Sequence, residues 1–239
     1  MRRSWWVFVV IGIAQAQGPP TGRGLNSYGK EKEIALGKML ASEFRQKASP
    51  VNNAMVTEYV QRVGARLAAQ FSGDWVFNFE TVRDPSGGPT HEPVTFPGGF
   101  IFVSTDLIFS AQNEAEFVGM LAHAMAHISV RHWTRSSTRG ALAQNGGPVV
   151  GVMPDYSDGM AVPMGMPAFQ RGFEKEADFL AVSALAAAGY DPAGLASYLS
   201  RIQAAGAEAR VTGNVPRARA ARRGDSNRDR QIAGGSLPD

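Results

Sequence analysis

The chain has 239 residues, of which 44% are hydrophobic and 19% charged. That is the balance of a globular domain with ample chain to bury a core, and it excludes a disordered polymer. The formal charge of +3 is small and unevenly placed, because seven arginines fall between Arg210 and Arg230. Nothing in it demands a nucleic-acid partner. There is no cysteine, which excludes disulfides, thiolate metal ligands and a lipid-modified N-terminal cysteine.

In chain order, Arg2 and Arg3 precede an apolar run over residues 5–13, and Ala14-Gln15-Ala16 follows. A charged region, a short apolar region and a small-x-small site, in that order, predict a signal peptide over 1–16 cleaved after Ala16. The run is shorter than the roughly 20 apolar residues of a membrane span, so an uncleaved anchor is the lesser reading. Export to the periplasm or cell envelope is therefore expected. Residues 17–29 are a Gly-, Pro- and polar-rich linker. A helix over 30–47 carries Ile34, Leu36, Met39, Leu40 and Phe44 at helical spacing, and Ser49-Pro50 breaks it. A second helix over 52–71 places Val56, Tyr59, Val60, Val63 and Leu67 on one side. Residues 75–82 alternate as a half-buried strand, and PVTFPGGFIFVS over 93–104 gives a short β run, a Pro-Gly-Gly turn and a second strand.

Residues 113–132 read NEAEFVGMLAHAMAHISVRH. Asn113 is a good N-cap, and Glu116 can complete a capping box. His123 and His127 are four residues apart. At about 100° per residue the second ring returns to within about 40° of the first, one turn along. Both imidazoles thus project from one face and can share a metal ion. The pattern with a mechanism behind it is His-Glu-x-x-His, whereas residue 124 here is alanine. A zinc hydrolase keeps at that place the carboxylate that deprotonates water. The helix is expected to reach residue 133, which would turn His132 to the opposite side as a structural or exposed residue.

Residues 139–167 are rich in Gly, Pro and Met without helical period and predict a long loop, either a flap or plain disorder. Helical spacing returns over 169–188 and stops at Gly189, and Asp191-Pro192 opens another helix to about residue 205. The third metal ligand should come from Glu174, Glu176 or Asp178. Glu174 and Asp178 share a face, while Glu176 points elsewhere. An economical assignment puts Glu174 on the metal and Asp178 on a ligand histidine's outer N–H. A solvated acidic face is the bland alternative. Residues 206–239 form an Arg-rich tail expected to be poorly ordered, with a membrane-peripheral contact to anionic lipid as the lesser reading.

Together, NEAEFVGMLAHAMAHISVRH and FEKEADFLAVSALAAAGYDP, with EIALGKML, YVQRVGARLA and FPGGFIFVS, resemble the HtpX/BepA-like zinc metallopeptidases of peptidase family M48. The likeness runs in order and spacing over about residues 30–201. It implies an α+β, mainly helical zincin fold of gluzincin type, with a small sheet beside the metal-binding helix. It also implies zinc held by His123, His127 and Glu174, with Asp178 in the active site and Ala124 at the vacant position of the general base. Losing such a base commonly costs on the order of 10²–10⁴ in rate. Glu116 (spent on capping), His91 and Glu92 are poor substitutes. The expectation is a domain over 30–205 acting as an exported zinc metalloendopeptidase, weak for want of its base. The alternative is a pseudoprotease that keeps fold and metal as a binding or chaperone-like module. Either would take a polypeptide substrate or client, paired by its backbone to the strand of Phe100, Ile101 and Phe102.

Overall fold

A computed structural model describes residues 22, 24–83, 92–143 and 167–211. The expected signal segment, most of the glycine-rich loop and the tail from residue 212 lie outside the described residues, as does His91. The elements run α1 (Lys30–Lys47), β1 (Ser49–Pro50), α2 (Ala54–Ala68), β2 (Asn78–Arg83), β3 (Val94–Phe96) and β4 (Phe100–Ser104). They continue as α3 (Thr105–Ser110), α4 (Glu114–Ser129), α5 (His132–Ala143), α6 (Pro167–Ala187) and α7 (Ala193–Val211). The architecture is α+β and mainly helical, with one four-stranded mixed sheet in the order β1-β2-β4-β3.

The apolar run FIFV becomes β4, a strand buried on both faces, which is why it lacks the alternation of a half-exposed strand. Ile101 and Val103 join a core with Val63 and Leu67 of α2, Leu121 and Met125 of α4, and Leu185 of α6. Phe100 and Phe102 join a second core with Leu40, Ala41 and Phe44 of α1. Strand β4 pairs in parallel with β2 and antiparallel with β3. Its backbone is therefore occupied on both sides. The expectation that a peptide would add to Phe100, Ile101 and Phe102 is corrected on this ground, because among the described residues the edge strands of the sheet are β1 and β3.

Helix α4 is the central element, buried along nearly its whole length from Glu116 to Ile128. Asn113 caps it, its side chain accepting from the Glu116 N–H at 3.0 Å. The Glu116 carboxylate accepts from Gln112 N at 2.9 Å, and Ser197 and Arg201 of α7 bind it from the other side. Capping thus accounts for only part of its role. Helix α7 lies close on α4: a Cβ added to Gly119 would come within 2.8 Å of the Leu195 backbone nitrogen.

Three boundaries differ from the sequence expectation by more than three residues. Helix α4 ends at Ser129 rather than near residue 133, because Arg131 adopts the left-handed conformation at φ 61°. The chain turns there and a separate α5 begins, so that residues 139–143 are helical rather than part of a loop. Helix α7 continues through Val211, so the stretch from 206 to 211 is helical. At Gly189 the expected stop is present as a Schellman turn. At φ 77°, Gly189 N–H donates to Ala186 O and Tyr190 N–H to Leu185 O.

Adding a methyl where α4 and α7 touch forces two backbones apart, whereas a Cβ at Gly140 in α5 would meet no atom within 4 Å. Gly119→Ala is expected to lose about 1–3 kcal/mol of stability. Gly140→Ala is expected to be neutral or to gain up to about 1 kcal/mol. Urea unfolding of the two variants checks both.

Candidate metal centre

Helices α4 and α6 share the larger core through small residues, Ala122 on one and Ala181 on the other. That packing sets two i, i+4 pairs against each other in opposite order along the helices. His123 Nδ1 lies 3.0 Å from Asp178 Oδ1, and His127 Nε2 lies 3.4 Å from Glu174 Oε2. The same Glu174 oxygen is 3.4 Å from His123 Nε2, and the two Nε2 atoms are 3.0 Å apart. Three donors therefore form a triangle with edges of 3.0, 3.4 and 3.4 Å. For a tetrahedral ion about 2.0–2.1 Å from each donor, neighbouring donors stand about 3.3 Å apart. Donor identity and spacing both fit a metal ion, and among the described residues this is the group that offers such a set.

The triangle is buried on one side and open on the other. Side-chain exposure is 8% for His123 and 20% for His127, against 44% for Glu174 and 45% for Asp178. A partly open centre leaves a position for water or substrate. Asp178 approaches His123 closely, at hydrogen-bonding distance but off the line of an ideal hydrogen bond. Burial alone would push the His123 imidazole down, but contact with Asp178 and then Glu174 outweighs it and raises the group to about 9. Burial likewise favours the neutral form of Glu174, and the two imidazoles overcome it and hold the carboxyl well below its usual range.

Two residues of this neighbourhood were not legible as such in sequence. The turn at Arg131 brings His132 back, so that its Nδ1 lies 3.0 Å from Nδ1 of His127. His132 is 3% exposed and does not point to the opposite side as a continuous helix would require. Its Nε2 meets Glu176 Oε2 at 3.0 Å, and Arg135 Nη1 meets the same oxygen at 3.1 Å. The backbone N–H of Gly22 donates to the other Glu176 oxygen. Glu176 does face away from the three donors, but into a buried polar chain rather than solvent. Burial, then the neighbouring His127, pushes His132 down to about 4, and Glu176 only partly opposes this. For Glu176 itself burial acts upward, and His132, Gly22 and Arg135 together hold it below the usual carboxylate range.

The turn has its own clamp. Arg131 Nε donates to Glu33 Oε2 at 2.6 Å, its Nη2 donates to Tyr28 O, and Thr134 Oγ1 donates to Glu33 Oε2 at 3.1 Å. Glu33 is 1% exposed. A non-glycine residue in the left-handed region costs roughly 1–2 kcal/mol, and this buried ion pair holds it there. Ala124, next to His123 in the chain, is buried. Glu116, considered as a substitute base, is engaged by Arg201 and Ser197. Burial raises the Tyr198 phenol of α7, and Glu92 adds to that only as a minor neighbouring charge.

Two imidazoles from α4 and a carboxylate from α6, open on one side, could hold a metal ion in the manner of a metallopeptidase. The chain belongs to peptidase family M48, whose model matches residues 54–222. Its relatives include the beta-barrel assembly-enhancing protease of Yersinia pestis, 25% identical over 191 residues, covering 72% of this chain and 38% of that protein. The beta-barrel assembly-enhancing protease of Escherichia coli strain K12 is 23% identical over 190 residues, with 72% and 37% covered. The mitochondrial metalloendopeptidase OMA1 of Schizosaccharomyces pombe is 28% identical over 187 residues, with 73% and 52% covered. The chain thus spans about two fifths of the length of its bacterial relatives.

A metal must displace the proton held on His123. Zn²⁺ affinity is therefore expected to climb with pH and to level off near 9, the value to which this group is raised. In the metal-free protein the same proton stabilises the fold: its contribution is complete below about 6.5 and is lost as pH rises through about 9. Calorimetric titration with Zn²⁺, and thermal unfolding with and without it, over pH 6 to about 10 read both effects.

Proposed function

We propose that this chain is an exported zinc metalloendopeptidase of zincin type that acts on polypeptides, with turnover slowed by the alanine at position 124. The observation that carries this reading is the triangle of His123, His127 and Glu174, whose spacing matches a tetrahedral ion. A zinc ion there would supply Lewis acidity to a scissile carbonyl and to the attacking water. The protein's own residues do the rest. His123 and His127 hold the ion from the buried side, Glu174 from the half-exposed side, and Asp178 keeps the outer nitrogen of His123 oriented. The open edge of β3, residues 94–96, is the place where an extended peptide would add to the sheet by backbone pairing. A client among envelope polypeptides is in keeping with the names of the bacterial relatives. The N-terminal Arg-Arg, apolar run and Ala-Gln-Ala site support export, and no helix among the described residues is long and apolar enough to cross a membrane.

A specific observation favours a second reading, a pseudoprotease that binds clients and metal without turnover. Residue 124 carries only a methyl group, and the carboxylate of Glu116 is tied to α7. The two readings part on one paired assay of zinc content and casein hydrolysis. Ala124→Glu is expected to raise hydrolysis by on the order of 10²–10⁴ with zinc content unchanged. Activity of the parent that disappears in His123→Ala identifies a slow enzyme, and activity confined to Ala124→Glu identifies the pseudoprotease. Absence of zinc from both the parent and Ala124→Glu removes both readings.

A further inference from the structure

The buried chain His127–His132–Glu176–Arg135 is longer than a metal site needs for holding a ring in place. Its hydrogens follow from the donor inventory of each group. Glu176, anionic beside Arg135, can only accept, so the hydrogen it meets at 3.0 Å must sit on His132 Nε2. His132 is buried and has a guanidinium and a second imidazole as neighbours, surroundings that favour the neutral ring. With its one hydrogen on Nε2, its Nδ1 is a bare acceptor. The atom 3.0 Å away, His127 Nδ1, must then carry a hydrogen and donate it. In the neutral ring, the form that can ligate a metal, this is the only hydrogen of His127, so Nε2 presents its lone pair to the position it shares with His123 Nε2 and Glu174.

We infer that Glu176, acting through His132, fixes His127 in the tautomer whose Nε2 lone pair faces the metal position, which makes His132 and Glu176 positioning residues of the site. The inference rests on the metal reading above and deepens it. The two ligand histidines are oriented by different devices: His123 by the half-exposed Asp178 directly, His127 by a carboxylate one imidazole further away. Because the His127 device is buried, solvent does not compete with it. The stacking of His132 on Phe173, with ring centroids 4.4 Å apart, and the clamp of Arg131 on Glu33 keep the relay ring in place.

Two-bond ¹H–¹⁵N spectra of the metal-free full chain test the inference directly. The expected pattern for the neutral His127 ring is hydrogen on Nδ1 and a bare Nε2, and a neutral ring with its hydrogen on Nε2 instead overturns the inference without any variant. His132→Leu keeps an apolar side chain against Phe173 but offers no acceptor, and should weaken Zn²⁺ binding about 10–100-fold in chelator competition. His132→Gln restores an acceptor and should recover most of that loss. Equal weakening in both variants, or none in His132→Leu, overturns the relay and leaves His132 a packing residue. Failure of the parent chain to bind Zn²⁺ overturns the metal reading alone, since the tautomer is read without metal.

Discussion

The close packing of α4 on α6 is the constraint on which the rest of the site depends. Four residues along a helix advance about 6 Å, so an i, i+4 pair on one helix matches an i, i+4 pair on an opposed neighbour. His123 meets Asp178 and His127 meets Glu174 by that match. Small buried residues on both helices, Ala122 and Ala126 of α4 and Ala177 and Ala181 of α6, are compatible with so close an approach. A buried imidazole pair without acidic partners would pay for desolvation with nothing in return. Here the acids supply the opposing charge, and on the proposed reading one of them, Glu174, also ligates the ion.

Around this seam the fold carries three buried glutamates, each answered by an arginine. Glu33 meets Arg131, Glu116 meets Arg201, and Glu176 meets Arg135. Buried ion pairs add little net stability, but breaking one strands a charge. Their placement is more informative than their energy. The first holds the left-handed turn between α4 and α5, the second joins α7 to the start of α4, and the third anchors the hydrogen-bond chain behind His127. Each ties an end of the central helix or its sequel to a distant part of the chain.

Ala124 separates the machinery for holding a metal from the machinery for using it. On the proposed reading the three donors, their orientation and access to solvent are in place, and the carboxylate that would take a proton from water is missing at position 124. An enzyme lacking only that group retains the electrostatics of its centre. A binding module built on the same centre would keep the same residues for a different reason, which is why the ligand geometry alone serves both readings.

Local pattern was enough for the helices, for the N-cap at Asn113, for the stop at Gly189 and for the two i, i+4 pairs, because each depends on spacing within one or two turns. The family likeness was also written in the order and spacing of these segments. Which acid would complete the site was legible in part: spacing put Glu174 and Asp178 on one face and Glu176 off it, and the family likeness pointed to Glu174, but only the approach of α6 to α4 sets the Glu174 carboxylate against both imidazoles. The role of His132 was hidden for a sharper reason. Its position depends on a helix break at an arginine, with no glycine or proline to announce it, and the partner that holds that break, Glu33, lies 98 residues earlier. Likewise β4 reads locally as a strand of either kind, and only its pairing with both β2 and β3 decides that it is interior. Periodicity is a property of neighbours along the chain, whereas ligand choice, a clamped turn and strand order are set by groups brought together across it.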